Sequence, residues 1–284
     1  VSAVSLVDSV NILLINIFAA LATGGAVVCG QFLGKRQQKR ACLAADQLVL
    51  FTTGAAILVM VIVYLSKSWI LSTVFGKIDA DVMEQANTYI MIVTASIPFI
   101  ALYNSGAALF RTMGNSKISM LTSLIMNGIN IIGNAIMIYW LKMGVAGAAI
   151  PTLVSRVIAA AVIYLLIRNP KLLLHTSTPV VLKPEFLFIK KILYIGIPNG
   201  LENSMFQLGK ILVLSLVSSF GTASIAANAV GNNVATFQCL PGIAVGLALI
   251  TVISRCVGAG DYTQARYYNP VSYTHLTLPT NSRV

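Results

Sequence analysis

The sequence predicts an all-α membrane helix bundle that crosses the bilayer several times. Of its 284 residues, 57% are hydrophobic and only 10% are charged, and the mean hydropathy is +0.85. Soluble domains carry about 25% charged residues, so this chain has too few charges to cover a globule with solvated surface. Two further observations, a series of long apolar runs and an alternation of basic loops, support the same class.

Seven apolar runs are long enough to cross the bilayer, since a helix needs about 20 apolar residues to do so. The predicted spans are residues 9–33, 42–64, 86–110, 118–141, 144–167, 192–220 and 225–257. The last two runs are longer than one crossing requires. We therefore expect them to tilt or kink, with Pro198 and Pro241 as the kink points.

The Lys and Arg residues lie mostly in alternate loops, those that follow spans one, three, five and seven. These loops hold Lys35, Arg36, Lys39, Arg40, Arg111, Lys117, Arg168, Lys171, Lys183, Lys190, Lys191, Arg255 and Arg266. The opposite loops hold only Lys67, Lys77 and Lys142. Cytoplasmic loops carry the basic excess, so the richer side is predicted to be cytoplasmic, and the net charge of +11 reflects membrane topology rather than nucleic-acid binding.

An internal repeat is predicted from the segments around Gly34 and Gly258. Aligning these glycines at an offset of 224 residues also pairs Ala41 with Ala265 and Val28 with Val252. Six helices, an even number, separate the two copies, so the copies have the same orientation, as in parallel transporter repeats. The complete protein is then expected to have two six-helix lobes, and this chain is expected to be a truncated form of it.

The repeat divides the chain into four parts. Residues 1–167 are predicted to form the N-terminal lobe without its first helix, and 168–191 the cytoplasmic inter-lobe loop. Residues 192–267 are predicted to begin the C-terminal lobe. Residues 268–284 offer no further apolar span and are expected to be a non-native tail.

Metal and enzyme chemistry are disfavoured by the residues present. The four cysteines show no CxxC or zinc spacing, and His175 and His275 lie outside the apolar runs. An intramembrane enzyme would need paired catalytic groups near an interface. No histidine lies in a span, and Glu202 is the only deep carboxylate predicted, so we expect no enzyme activity and no cofactor.

Six segments, in order and at characteristic spacing, resemble the MATE (multidrug and toxic compound extrusion) family over residues 1–267. They are GQFLGKRQQKRA (30–41), FRTMGNSK (110–117), NGINIIGNAIMIY (127–139), GVAGAAIPT (144–152), GIPNGLENSMFQ (196–207) and FGTASIAANAVGNN (220–233). The seven spans would correspond to family helices two to eight.

The resemblance implies an antiporter that exports amphipathic, often cationic, organic compounds in exchange for sodium ions or protons, by alternating access between its lobes. It implies a monomeric, multi-pass protein of a bacterial cytoplasmic (inner) membrane. Its partners would be the lipid bilayer and small organic substrates.

The alternative is a lipid-linked saccharide flippase of the same superfamily. A flippase cavity should be strongly cationic, whereas the membrane interior here has only Arg156 and Lys210 against Glu202.

An asparagine ladder is the first candidate site. Asn127, Asn130 and Asn134 fall on one face of span four, and Thr152 lies in span five. One interpretation is interhelical hydrogen bonding, worth about 0.6 kcal/mol per contact; the other is a cation or substrate site. In relatives that use this lobe, an Asn and an Asp four residues apart act with a Thr, and Asn130, Asn134 and Thr152 resemble those positions. Asn134 replaces the Asp, and an amide oxygen can bind a cation but cannot carry a proton at neutral pH.

Glu202 is the second candidate site. It lies about 16 Å along the helix from Lys191, near mid-membrane, where a carboxylate is costly and indicates function. Relatives use a seventh-helix glutamate about one turn away. A structural ion pair is the alternative, with Arg156 preferred over Lys210, which lies about 12 Å farther along the axis. Gln207 and Lys210 are further candidate contacts on this helix.

No resident metal is expected from these candidates; a coupling sodium ion would bind at Asn130, Asn134 or Glu202. Two GxxxG pairs, Gly30/Gly34 and Gly242/Gly246, are predicted to allow close helix packing rather than to contact substrate.

Overall fold

The computed structural model describes residues 2–75, 80–176, 184–218, 220 and 222–281. Lys77 and Lys183, which entered the predicted topology, lie outside these ranges, as do the last three residues of the predicted tail. Within them the chain is entirely helical apart from short connections. The helices are α1 (Ser2–Gly34), α2 (Gln38–Phe75), α3 (Ala80–Ala95), α4 (Ile97–Thr112), α5 (Ser116–Ala135), α6 (Ala146–Ile167), α7 (Phe186–Ser218), α8 (Thr222–Ala259) and α9 (Tyr262–Asn281).

Six segments are long and apolar enough to cross a membrane, and they coincide with six of the seven predicted spans. They are Asn11–Gly34, Gln38–Lys67, Met83–Thr112, Ser116–Trp140, Ala146–Ile167 and Val230–Ala259. The remaining predicted span, 192–220, lies within α7. The described part of α7 does not reach the same hydropathy because its middle carries Asn199, Glu202 and Asn203.

The outer surface of the bundle is apolar, as a lipid-facing surface must be. Trp140, Tyr194 and Leu65 are each more than 80% exposed, and many other large apolar side chains are exposed along the spans. A soluble monomer rarely presents apolar patches of this extent. The described chain is almost entirely helical, and helices pair most of their own backbone polar groups, as hydrocarbon requires. The chain is therefore a multi-pass membrane protein.

The third predicted span, 86–110, is two helices rather than one. It breaks at Ser96, between α3 and α4, because Pro98 in the first turn of α4 has no N–H to bond the carbonyl four residues earlier. The Ser96 backbone N–H and hydroxyl both donate instead to the carbonyl of Val93. By contrast, α7 and α8 continue as helices through Pro198 and Pro241, the two positions where kinks were expected.

The core is built around α1, which packs against α2, α3, α4, α7 and α8. The largest buried cluster joins α1, α2, α4 and α6, and includes Leu48, Phe110 and Ile163, each fully buried. Where α1 meets α7, a Cβ added at Gly24 would crowd the backbone of Gly196, so small residues set this close approach. The start of the predicted C-terminal lobe is thus packed directly on the first helix of the chain.

The inter-lobe loop is attached to α2 and to the end of α4. Gln38 Nε2 donates to the carbonyl of Leu173 at 3.1 Å, and the Glu185 N–H donates to Gln47 Oε1 at 2.9 Å. The N–H of Leu174 also contacts the Met113 sulfur. These bonds fix both described ends of the loop, so the start of α7 is positioned by the N-terminal lobe. The last helix, α9, extends through most of the predicted tail, to Asn281.

Candidate functional site

Three of the four predicted polar residues of the asparagine ladder form one hydrogen-bonded chain between α5 and α6. Asn134 Nδ2 donates to Asn130 Oδ1 at 3.1 Å, and Asn130 Nδ2 donates to Thr152 Oγ1 at 3.0 Å. The Thr152 hydroxyl in turn donates to the carbonyl of Ala148 at 3.0 Å. The structure therefore brings Asn130, Asn134 and Thr152 together, as their positions on two adjacent spans predicted.

The direction of this chain is fixed at its Thr152 end. The Ala148 carbonyl can only accept, so the Thr152 hydroxyl donates to it and its oxygen is left to accept from Asn130. Asn130 Oδ1 is then the acceptor for Asn134. This leaves Asn134 Oδ1 buried and without a hydrogen-bond partner in the part of the chain that the structure describes. A buried amide oxygen with a free lone pair is an acceptor that lacks a donor or a cation.

Close backbone packing holds the two helices of this site together. A Cβ at Gly133 would lie 2.8 Å from the Cβ of Pro151, and one at Gly147 would lie 3.1 Å from the carbonyl oxygen of Met137. Beyond Asn134, α5 widens into a π-helical turn over Ile136–Trp140. Such turns are rare in proteins, and those that occur are often found at functional sites. Pro151, inside α6, has no N–H to donate to the carbonyl of Gly147.

Asn127, the fourth ladder residue, does not join the chain. It is exposed on α5, one turn before Asn130, and no hydrogen bond of its side chain is recorded among the described residues. The helical spacing correctly placed Asn127 on the same helix, but α6 covers only the later part of that face. Asn127 remains a predicted site residue whose side chain has no hydrogen-bond partner among the described residues.

Arg156 lies on α6 and points to the break between α3 and α4. Its Nη1 donates to Ser96 Oγ at 2.7 Å, and Ser96 is fully buried. A guanidinium inside a membrane protein needs such acceptors because an unsatisfied charge in a low dielectric is costly. The pairing predicted between Arg156 and Glu202 is not present among the described residues: Arg156 is bound to Ser96, whereas Glu202 is exposed on α7.

A cavity of about 550 Å³ lies between α7 and α8, on the side of α7 that also carries Lys210. It is lined by Met205, Phe206, Gly209, Lys210, Val213, Asn228 and Asn232. Lys210 Nζ lies 5.0 Å from the centre of the Phe206 ring, within the range of a cation–π interaction. Lys210 therefore lines a cavity. Gln207, the other candidate contact on this helix, is partly buried and is not among the lining residues.

Two buried polar side chains were missed by the sequence reasoning. Asp46 on α2 is only 5% exposed and was not proposed as a site residue. Asn104 on α4 has a buried amide nitrogen with no partner among the described residues. The signal for both was available, since each is a polar residue within an apolar run. Asn228 and Asn232, one turn apart on α8, also line the cavity, although the sequence analysis did not propose them as site residues.

The crossing of α1 and α8 confirms one predicted GxxxG pair. A Cβ at Gly30 would overlap the side chain of Ser254, and one at Gly34 would overlap the carbonyl oxygen of Arg255. Gly242 and Gly246 have no described atom within 4 Å of such a Cβ. Beside the crossing, Arg255 Nη2 donates to the carbonyl of Thr112 at 2.6 Å, which ties α8 to the end of α4.

Comparison with known proteins gives a consistent result. The MatE family model matches residues 1–136 and 198–275. A protein of Bacillus subtilis (strain 168) described as "Uncharacterized transporter YisQ" is 28% identical over 270 residues, covering 93% of this chain and 58% of the relative. "Probable multidrug resistance protein YoeA" from the same strain is 25% identical over 272 residues, covering 94% of this chain and 58% of the relative.

A solved structure described as "Outward-facing conformation of a multidrug resistance MATE family transporter of the MOP superfamily" has the same fold. Its TM-score with this chain is 0.86 at 20% sequence identity, and the match covers 98% of this chain and 62% of that one. The chain thus spans about three-fifths of the length of the proteins that it matches.

Proposed function

Because the chain belongs to the MatE family of membrane transporters, we propose that it forms part of a cation-coupled exporter of amphipathic or cationic organic compounds, acting in a bacterial cytoplasmic membrane. Several relatives are described as multidrug resistance or multidrug export proteins. The specific proposal for this chain is that the Asn130–Asn134–Thr152 chain binds the coupling cation, and that this cation is sodium.

The observation that carries the proposal is the unpartnered, buried oxygen of Asn134. Every donor in the chain points from Asn134 toward Thr152, so the free group at its end is an acceptor rather than a donor. Hard cations prefer oxygen ligands, including amide and backbone carbonyls. A proton would need a group that titrates near neutral pH, and neither an amide nor a hydroxyl does. The chemistry of the site therefore favours sodium over protons.

Glu202 has a separate proposed role on α7. It is exposed on this chain, on a helix whose neighbouring face lines the cavity with Lys210. We propose that it contacts cationic substrate or a second coupling ion when further helices cover α7. In that arrangement α7 and α8 supply the substrate cavity, and α5 and α6 supply the cation site.

The test uses a full-length transporter that carries this sequence, reconstituted into vesicles. Efflux of a cationic dye is measured under a sodium gradient and, separately, under a proton gradient. We expect wild-type efflux to follow the sodium gradient. Asn134→Leu keeps the size of the side chain but removes its oxygen, and we expect it to lower sodium-driven efflux by at least about tenfold, since a charge-assisted contact is worth about 1.5–3 kcal/mol.

Thr152→Val and Thr122→Val form a matched pair. Thr122 is buried on α5 but its hydroxyl bonds only the carbonyl of Ile118, outside the Asn130–Asn134–Thr152 chain. We expect Thr152→Val to lower sodium-driven efflux and Thr122→Val to leave it unchanged. Efflux driven equally well by protons in wild type, or by sodium in Asn134→Leu, would contradict sodium binding at this site.

Translocation of a lipid-linked saccharide is the second candidate function. The observation that favours it is that Lys210 is the charged residue among those lining the cavity between α7 and α8. A single lysine, already placed over the Phe206 ring, gives less positive charge than a pyrophosphate group requires. Transport of the saccharide lipid, without export of cationic dye, by the reconstituted protein would select this candidate instead.

A further inference from the structure

A second cavity, of about 290 Å³, lies where four segments of the chain meet at one end of the bundle. It is lined by Leu33, Arg36, Gln38, Leu173 and Arg255. These residues come from the end of α1, the start of α2, the inter-lobe loop and α8. The cavity is separate from the one that contains Lys210 and is smaller than drug-binding pockets usually are. Its size suits a small polar group.

The lining of this cavity is basic. Two of its five residues are arginines, and none is acidic. Neither Arg36 nor Arg255 has an ion-pair partner in the ranges that the structure describes. Arg255 uses Nη2 to bond the Thr112 carbonyl, while its Nε is buried and has no partner there. A guanidinium has five N–H donors, so this site offers donors in excess of the acceptors present.

Arg36, one of the two arginines that line the cavity, has an unfavourable backbone conformation. Its φ is +57°, in the left-handed region, at the position after the end of α1 where the Arg36 N–H bonds Leu33 and the Gln37 N–H bonds Phe32. The same capping arrangement ends α4 and α8, and there the residue is glycine: Gly114 with φ +85° and Gly260 with φ +81°. Glycine is usual at this position because other residues cost about 1 kcal/mol or more.

The comparison with Gly260 is close because the predicted repeat makes Arg36 and Gly260 equivalent positions, 224 residues apart. The chain thus uses glycine in one copy and a strained arginine in the other. Strain that persists in a folded protein often marks a functional constraint. Arg36 is the residue with this conformation, and its side chain lines the cavity.

The cavity lies at the boundary of the bilayer. The candidate spans end at Gly34 and Ala259 and begin at Gln38, so the lining residues stand at the level where helices leave the hydrocarbon. By the distribution of basic residues this is the cytoplasmic side. Basic pockets between transmembrane helices at this level are suited to phosphate-bearing head groups.

From this geometry we infer that the cavity binds a phosphate-type anion between Arg36 and Arg255, a site that is distinct from the transport pathway. The bound anion would accept from both guanidinium groups and from the amide of Gln38, and so would connect the α1–α2 turn with α8. The phosphate group belongs either to the head group of an anionic phospholipid or to a free phosphate ion or ester.

The experiment measures thermal unfolding of a full-length transporter that carries this sequence, purified in a neutral detergent. The probes are inorganic phosphate against chloride at matched ionic strength, and phosphatidylglycerol against phosphatidylcholine in mixed micelles. We expect an anionic probe near saturation to raise the midpoint of unfolding by about 4 °C or more. A shift with both anionic probes shows that the phosphate group suffices, and a shift with phosphatidylglycerol alone identifies the lipid head group.

Arg36→Gly separates folding from binding. It removes the guanidinium and relieves the left-handed strain, so the variant should unfold at the same or a higher temperature without anion, and should lose the anion-dependent shift. Lys39→Ala is the matched control, since it removes one positive charge from the same turn but does not line the cavity. Absence of any shift in wild type, a full shift in Arg36→Gly, or an equal loss in Lys39→Ala would each overturn the inference.

Discussion

Gly34 of α1 and Gly258 of α8 each lie against the backbone of the other's helix. A Cβ at Gly34 would overlap the carbonyl oxygen of Arg255, and a Cβ at Gly258 would overlap the carbonyl oxygen of Gln31. The offset that pairs Gly34 with Gly258 also pairs Gln31 with Arg255, so the two contacts are reciprocal. Reciprocal contacts of this kind are expected where a two-fold axis relates two equivalent helices, as the predicted repeat requires of α1 and α8.

Substitution at this crossing is expected to force the two helices apart. Gly34→Ala should lower the stability by about 1–3 kcal/mol, because the clashing atom is a backbone carbonyl that cannot rotate away. The measurement is the midpoint of thermal unfolding in detergent. Gly54→Ala on α2 is the control: its Cβ would meet no described atom within 4 Å, and alanine is the better helix former there by about 0.5–1 kcal/mol. Equal effects of the two substitutions would show that the crossing is not tight.

The contact between Gly133 and Pro151 makes a prediction about the candidate cation site. Gly133→Ala should push α5 away from α6, since its Cβ would lie 2.8 Å from the Pro151 Cβ, and should lengthen the bond from Asn130 to Thr152. We expect at least a severalfold loss of sodium-dependent stabilisation, measured as the shift of the unfolding midpoint on adding sodium. Gly128→Ala, on the same helix but with open space around its Cβ, should retain the shift. Loss in both variants would point to helix propensity rather than to the site.

The hydrogen bond from Arg156 to Ser96 predicts a large effect of a small substitution. Ser96→Ala removes a hydroxyl that is fully buried and accepts from a guanidinium, so it should lower the stability by about 1.5–3 kcal/mol. Ser204→Ala on α7 is the control, because the Ser204 hydroxyl bonds only the carbonyl of Gly200 one turn earlier. Thermal unfolding of both variants checks the prediction, which fails if Ser96→Ala is no more destabilising than Ser204→Ala.

Sequence patterns predicted the elements of this fold well where a single helix is long and apolar. The spans 9–33, 42–64 and 144–167 correspond to the candidate membrane segments Asn11–Gly34, Gln38–Lys67 and Ala146–Ile167 within a few residues at each end. The break at Ser96 was not predicted although Pro98 signals it, because the apolar run continues across the break and hydropathy does not register a lost hydrogen bond. Six of the seven predicted spans coincide with segments that are long and apolar enough to cross a membrane, whereas the break within the third span was not predicted.

The candidate site was predicted in part for a similar reason. Helical periodicity placed Asn130 and Asn134 on one face, and the resemblance added Thr152 from the next helix. Periodicity could not show that Asn127 lies beyond the reach of α6, or that Arg156 bonds Ser96 rather than Glu202. Those outcomes depend on which helices are neighbours and at what depth they meet, and neither is encoded in the spacing along one helix.

The sequence by itself determined that this protein is a membrane helix bundle. Its helices are long and apolar and its charges are few, so lipid rather than water must contact most of its outer surface. It also placed Asn130, Thr152 and Arg156 inside apolar runs, where a polar group without a partner is costly. Only the tertiary structure decided how that cost is met: which buried amide oxygen has no partner among the described residues, which oxygen accepts from each guanidinium, and where two arginines meet across a cavity. The physical reason is that hydrophobic burial is non-directional and can be counted along the chain, whereas hydrogen bonds and close glycine contacts require specific atoms from different helices to coincide.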